Sequence, residues 1–129
     1  MQIIAHEDAD GICSASLLRM TEPTSRVFFS KPCSLLRDLD LVDSRRDLAV
    51  LDIALCELSK ELVVSRLSGW GGRVLYIDHY PDTESSLSQH RNLKVISGNA
   101  SSSELTFGYL SSRLRREAER VMLMGAIGD

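Results

Sequence analysis

The apolar run Gln2-Ile3-Ile4-Ala5 stops at His6-Glu7-Asp8-Ala9-Asp10-Gly11, and no other stretch constrains the chain as strongly. An imidazole and two aspartates fall at alternate positions of one short segment, directly before a glycine and a helical pattern. Three acidic side chains this close repel one another unless something positive sits among them. A divalent metal is the natural candidate, because hard cations take oxygen ligands and tolerate imidazole. The same ending returns twice. Leu48-Ala49-Val50-Leu51 runs into Asp52, and Arg73-Val74-Leu75-Tyr76-Ile77 runs into Asp78-His79-Tyr80-Pro81.

Helical patterns separate these runs. The spacing predicts a helix over 11–20, with Asp10 as its cap. Arg26-Val27-Phe28-Phe29 reads as a strand, and a short helix with Leu35, Leu36 and Leu39 follows Pro32. Leu55, Leu58 and Leu62 stand at i, i+3 and i+7, which predicts an amphipathic helix after Asp52. Gly69-Trp70-Gly71-Gly72 reads as a structural turn, since it lacks the Lys-Ser/Thr ending of a nucleotide loop. A Ser-rich loop after Pro81 leads to the strand Leu93-Lys94-Val95-Ile96. Ser101 and Glu104 form a capping box. Helices are expected over about 103–114 and 116–127, the second with Ala118, Val121, Met122 and Gly125 on one face. Strands alternating with helices in this way predict an α/β fold: a parallel, doubly wound sheet with helices on both faces. The carboxyl ends of all its strands share one edge, and ligands bind outside that edge.

That edge gathers residues which are ordinary one at a time. Asp10 before Gly suits a helix cap, Asp52 a turn, His79 after Asp78 a hydrogen-bonded loop pair. His6 alone suits a satisfied histidine. Together on one edge they form a cluster that repels itself without a cation, and some of its carboxyls take up protons. Two imidazoles and several carboxylates can hold two divalent ions about 3.5–4 Å apart. With oxygen-rich ligands and no thiolate pair nearby, Mn²⁺ or Mg²⁺ is favoured over structural Zn²⁺. Asp129 ends a helical segment, so its convergence does not follow from strand geometry.

Bulk properties narrow the class. At 129 residues the chain is long enough for one real core and too short for two. A net charge of −3 excludes a broadly basic nucleic-acid binder, though bound cations would offset part of it. Arg113, Arg115, Arg116 and Arg120 read as a solvated helix face rather than a phosphate track. The cysteines, Cys13, Cys33 and Cys56, are odd in number and widely spaced with no CxxC, which fits reduced thiols in a cytoplasmic protein. No charged leader with an apolar core is visible, and no apolar run approaches the ~20 residues of a membrane helix.

Four segments, in order, carry a family resemblance: His6-x-Asp8-x-Asp10-Gly11, Val50-Leu51-Asp52, Ile77-Asp78-His79-Tyr80-Pro81 and Gly125-Ala126-Ile127-Gly128-Asp129. They resemble the four motifs of the DHH phosphoesterase superfamily, and the first motif looks most like that of archaeal RecJ-like exonucleases. The helix start Ser102-Ser103-Glu104-Leu105 is similar too. The resemblance implies two Mn²⁺ ions, with Mg²⁺ as the substitute. His6 and Asp8 would hold the first, and Asp10, His79 and Asp129 the second. Asp52 would bridge them, and Asp78 would ligate or orient from behind. It implies attack of a metal-activated hydroxide on a phosphodiester of single-stranded nucleic acid or a short oligonucleotide. It leaves open a small substrate, such as a cyclic dinucleotide or nucleoside bisphosphate, and a non-catalytic scaffold in a replication or repair assembly. Two departures bear on this. The family's third motif has a second His, which meets the substrate phosphate; here Tyr80 stands in its place. The chain also ends at the fourth motif, so residues 1–129 are expected to be either the N-terminal part of a DHH domain, the favoured reading, or a degenerate form of it. The smaller substrate-gripping domain of the family is expected beyond it.

Overall fold

The computed structural model describes all residues, 1–129. Five strands form one all-parallel sheet in the order β2-β1-β3-β4-β5. They are β1 (Gln2–His6), β2 (Arg26–Ser30), β3 (Leu48–Leu51), β4 (Val74–Ile77) and β5 (Leu93–Ile96). Six helices connect or follow them: α1 (Ala9–Thr21), α2 (Leu35–Asp38), α3 (Lys60–Ser68), α4 (Pro81–Leu87), α5 (Ser102–Leu110) and α6 (Ala118–Gly128). None is long and apolar enough to cross a membrane.

The continuous apolar runs become the inner strands because both of their faces are covered. Successive side chains point to opposite faces, so each strand feeds two cores. Ile4, Val50 and Tyr76 pack with Leu35, Val63, Leu67 and Leu87 from α2, α3 and α4. Ile3, Ala5, Ala49, Leu51 and Ile77 pack with Leu17, Leu18, Leu110 and Ala118 from α1, α5 and α6. The fold is therefore doubly wound α/β, as the alternation predicts.

Two features of this frame position the site. First, the register aligns the strand ends: Ala5 lies opposite Leu51, and Leu51 opposite Ile77. His6, Asp52 and Asp78 therefore leave the sheet side by side. Second, the chain moves from β1 to β2 on one side and then crosses to β3 on the other. The order reverses between β1 and β3, the place where open α/β sheets form ligand crevices.

Several local expectations are corrected. Helix α1 starts at Ala9, and its cap is Asp8, whose carboxylate accepts from the Gly11 N–H; Asp10 lies inside the first turn. Leu55 and Leu58 precede α3, Leu58 and Leu62 are exposed, and the buried face is Val63 and Leu67. The Ser-rich stretch holds α4, begun by Pro81 at its first position, where the fixed φ favours a helix. The last two helices are shorter than expected, with a 3₁₀ turn at Ser111–Arg113 between them. The capping box at Ser101 and Glu104 is present.

Gly125 lets α6 approach the rest of the fold. A Cβ there would meet Ser103 Oγ at 2.5 Å and the Cβ atoms of Ser103 and Cys13 at 2.7 and 2.8 Å. Gly108, exposed on α5, meets nothing within 4 Å. Gly125→Val should therefore lower unfolding stability by about 1–3 kcal/mol through overpacking. Gly108→Ala should raise it by roughly 0.5–1 kcal/mol through helix propensity. Urea unfolding followed by circular dichroism checks both signs.

Candidate metal centre

Each strand end delivers a ligand for a backbone reason. His6 is the last residue of β1. Asp8 follows in extended conformation and uses Oδ1 to cap α1 at 2.9 Å from Gly11 N, which turns Oδ2 toward His6 Nδ1 at 2.7 Å. Asp52 sits just past β3 at φ 60°, a left-handed conformation that Asp adopts more readily than most residues. Its N–H still bonds Ile77 O at 2.8 Å, while its side chain turns inward, 5% exposed. Asp52 Oδ2 lies 3.9 Å from His6 Nδ1, and Oδ1 lies 3.5 Å from His79 Nδ1. The carboxyl thus stands between the two imidazoles.

The N-terminus of α5 faces the same place. Its first backbone donors lack intrahelical partners and carry the positive end of the helix dipole. Ser102 N and Ser103 N donate to the two oxygens of fully buried Asp10 at 2.7 and 2.9 Å. Ser102 Oγ donates to Asp52 Oδ1 at 2.8 Å and lies 3.4 Å from His79 Nδ1. His79 Nε2 lies 3.9 Å from Asp129 Oδ1, so the end of α6 reaches the cluster as well. Tyr80 is half-exposed and stacks on the His79 ring, centroids 4.4 Å apart. Asp78 is fully buried; Oδ2 accepts from Thr83 Oγ1 at 2.7 Å, and Oδ1 has no partner.

The ligand-bearing atoms fall into three overlapping groups, each within 4.8 Å: His6, Asp8 and Asp52; Asp10, His79 and Asp129; Asp52, Asp78 and His79. All six residues expected as ligands are therefore brought together, with Asp78 behind them and Tyr80 at the rim. Asp52 is grouped with His6 and Asp8 and, separately, with Asp78 and His79, but not with Asp10 and Asp129. His6, Asp8, Asp52, His79, Tyr80 and Asp129 line a cleft with Pro32 and Ala54, while Asp10 and Asp78 are buried behind it; its interior is about 70 Å³, room for ions and a water or two but not for a nucleotide. A larger cavity near Met1, Arg73 and Tyr109 lies at the opposite, amino edge of the sheet and contains none of these residues.

The electrostatics follow from burial and from like charge. Burial, then the neighbouring charge of Asp10 and contact with Asp8, pushes Asp52 up to about 8 against the Ser102 hydrogen bond. Burial likewise raises Asp78. Partial burial pushes Asp8 upward, but bonds from Gly11, Asp52 and His6 outweigh it and hold Asp8 below its ordinary value. No Lys or Arg pairs with Asp8, Asp10, Asp52, Asp78 or Asp129; their ion-pair partners are the two histidines alone. An orphaned buried carboxyl oxygen, an all-N/O donor set and uncompensated negative charge together fit divalent cations.

Ser102, Ser103 and Thr83 were not expected as part of the site. The capping box at Ser101 and the resemblance of the Ser102-Ser103-Glu104-Leu105 helix start both point to Ser102 and Ser103 without giving them a role, and the sequence carries no signal for Thr83.

No protein-family model matches the chain, and no curated protein is similar to it. Among solved structures, an uncharacterized protein from Helicobacter pylori G27 superposes over 95% of this chain with a TM-score of 0.63 and 12% identity. The chain spans 40% of that protein's length. At that identity the likeness shows the doubly wound α/β fold alone.

One pH dependence follows. Asp52 releases its proton near 3.8 when unfolded and near 8 when folded without metal. The native state binds the extra proton between those values, so this group makes stability fall as pH rises from about 4 to about 8. In EDTA, Tm should decline across that window, and Asp52→Asn should flatten the decline. Thermal unfolding at pH 5, 6.5 and 8 checks the difference between the two proteins.

Proposed function

We propose that this chain carries the metal-binding part of a Mn²⁺-dependent phosphoesterase of the DHH type. Its substrate class is the phosphodiester bond of single-stranded nucleic acid or a short oligonucleotide. Mg²⁺ is the alternative ion. One observation supports this most: the four sequence segments that carry the resemblance, scattered over the whole chain, meet in one cleft with no cationic side chain paired to them.

The roles of the chain's own residues follow from their positions. His6, Asp8 and Asp52 would hold one ion, and Asp10, His79 and Asp129 the other, with the Asp52 carboxyl between them. Bound there, divalent ions lower the pKa of water and neutralise charge on phosphoryl oxygens. The α5 N-terminus fixes Asp10, and Ser102 fixes the Asp52 rotamer. Asp78, tied to Thr83, orients from behind. Tyr80 stands over His79 at the cleft rim; burial and the surrounding carboxylates raise its pKa, so its phenol stays protonated as a hydrogen-bond donor to a phosphoryl oxygen. A phenol carries no positive charge, so less charge is offered to the substrate than an imidazolium there would offer.

That substitution favours one second reading: a DHH-type protein that binds metal and acts as a scaffold among replication or repair proteins. Titration calorimetry with Mn²⁺ should find two ions per chain, with Asp52→Ala weakening binding roughly 10–100-fold or removing one ion. A labelled oligonucleotide incubated with the full-length protein and Mn²⁺ should release mononucleotides, and Asp52→Ala should slow this at least about 10²-fold. Activity untouched by Asp52→Ala would overturn the reading. Metal binding without turnover, with hydrolysis gained by Tyr80→His, would favour the scaffold. Parallel rates on a cyclic dinucleotide would identify a small-nucleotide enzyme instead.

A further inference from the structure

The geometry points to Cys33 and Cys56 as a redox-active dithiol that closes to an intramolecular disulfide beside the candidate metal cleft. Twenty-three residues separate them, yet their Sγ atoms lie 2.7 Å apart. Both thiols are free and reach solvent, Cys33 exposed and Cys56 half-buried. Each sits in a short loop at the carboxyl edge of the sheet, Cys33 ahead of α2 and Cys56 ahead of α3. Both loops are held by their own backbone. Ser34 N and Leu35 N bond Lys31 O at 3.0 Å, and Ser59 N bonds Cys56 O at 3.0 Å. Helices α2 and α3 share one core through Leu35, Val63 and Leu67. The sulfurs are therefore placed by the fold and meet without rearrangement of the backbone, the condition on which disulfide formation depends.

The two thiols have no third ligand. Neither joins any cluster of His, Asp or Glu able to hold a metal, which leaves the pair short of the four ligands of a structural zinc site. They also differ in reactivity. The Cys33 thiol, and then the Leu58 N–H, hold the Cys56 thiol below its ordinary pKa, while Cys33 is raised by the same contact. Attack by Cys56 first or by Cys33 first ends in the same Cys33–Cys56 bond. Cys13 is buried in α1 on the other face of the sheet, where burial raises its pKa, and it takes no part.

The oxidant is a small-molecule disulfide. With Cys56 first, its thiolate attacks one sulfur of that molecule, forms a mixed disulfide and expels one small thiolate. Cys33 loses its proton to solvent and attacks Cys56 Sγ, which expels the second thiolate and leaves the Cys33–Cys56 bond. Two electrons pass from the protein to the small molecule, and the two thiol protons end on the released thiols. The bond staples together two loops whose Pro32 and Ala54 line the metal cleft. An excess of small thiol reverses it.

The test uses the full reduced chain, metal-free, with excess glutathione disulfide at pH 8. Free thiols counted after unfolding should fall from 3 to one, Cys13, with a peptide linking Cys33 to Cys56. The mass should fall by about 2 Da, and Tm should rise by roughly 5 °C or more through loop closure. Cys33→Ser and Cys56→Ser should each leave a single glutathione adduct and no rise in Tm. Three thiols remaining free overturns the proposal. So do separate adducts on Cys33 and Cys56, or a bond between two chains. None of these readouts involves hydrolysis or bound metal, so their failure leaves the phosphoesterase reading untouched, and the reverse holds.

Discussion

Like charge, gathered where water is scarce, is the constraint around which this structure is arranged. Asp10, Asp52 and Asp78 are all buried; Asp52 and Asp78 follow adjacent strands, and Asp10 lies in the first turn of α1. An ionised carboxyl in such a place costs several kcal/mol unless it is paired or hydrogen-bonded. The chain meets that cost differently at each position. Asp10 receives two backbone N–H groups from the start of α5. Asp78 receives one hydroxyl and is pushed toward its neutral form. Asp52 receives one hydroxyl, lies between two imidazoles and keeps its proton to about pH 8. A cluster optimised for stability alone would not retain carboxyls in this state, because apolar residues of similar volume are at least as stabilising. Divalent cations, bound there as proposed, would resolve the conflict in one step.

The rest of the fold can be understood as what brings charge to this edge and holds it there. Parallel pairing aligns the ends of β1, β3 and β4, and the reversal between β1 and β3 opens the crevice. Three helices on one face then act on the site directly. Helix α1 is capped by Asp8, α5 directs its positive end at Asp10, and α6 places Asp129 near His79. These three pack on one another through small residues. Gly125 admits Ser103 and Cys13, and a side chain at Gly11 would strike the His6 carbonyl. Packing and electrostatics are coupled here: a bulkier residue at Gly125 displaces the same helix start that neutralises Asp10.

The sheet was legible in the sequence because its signal is redundant. An apolar run that ends in Asp fixes the strand, its direction and its functional end together. Helix limits were less legible because they depend on which of several equivalent residues wins. Asp8 and Asp10 both suit a cap, and Asp8 prevails because the helix begins at Ala9, which frees Asp10 to be buried. Leu55, Leu58 and Leu62 keep a helical spacing without being helical throughout, because Leu55 and Leu58 belong to the loop that carries Cys56. Asp129 was beyond the reach of strand geometry; its position depends on a close helix contact at Gly125. The Cys33–Cys56 approach had no local signal, since it arises only when the loops after β2 and β3 are folded beside each other.

Tyr80 shows how much the remaining chemistry depends on charge outside the side chains. A ligand approaching this cleft meets the carboxyls of Asp8, Asp52 and Asp129 and a phenol, and the whole chain carries a net charge of −3. Lys31, adjacent in sequence to Pro32 of the cleft wall, is paired with Glu7 at 2.6 Å in an exposed contact. An exposed pair of this kind contributes little and exchanges partners readily, so it offers a polyanion no fixed positive charge. Under the proposed function, attraction for a phosphodiester would fall almost wholly to bound cations, because the Tyr80 phenol carries no positive charge. In that reading the ions that would relieve repulsion inside the protein would also be what draws a substrate in, so that folding, metal binding and recognition would converge on one electrostatic term.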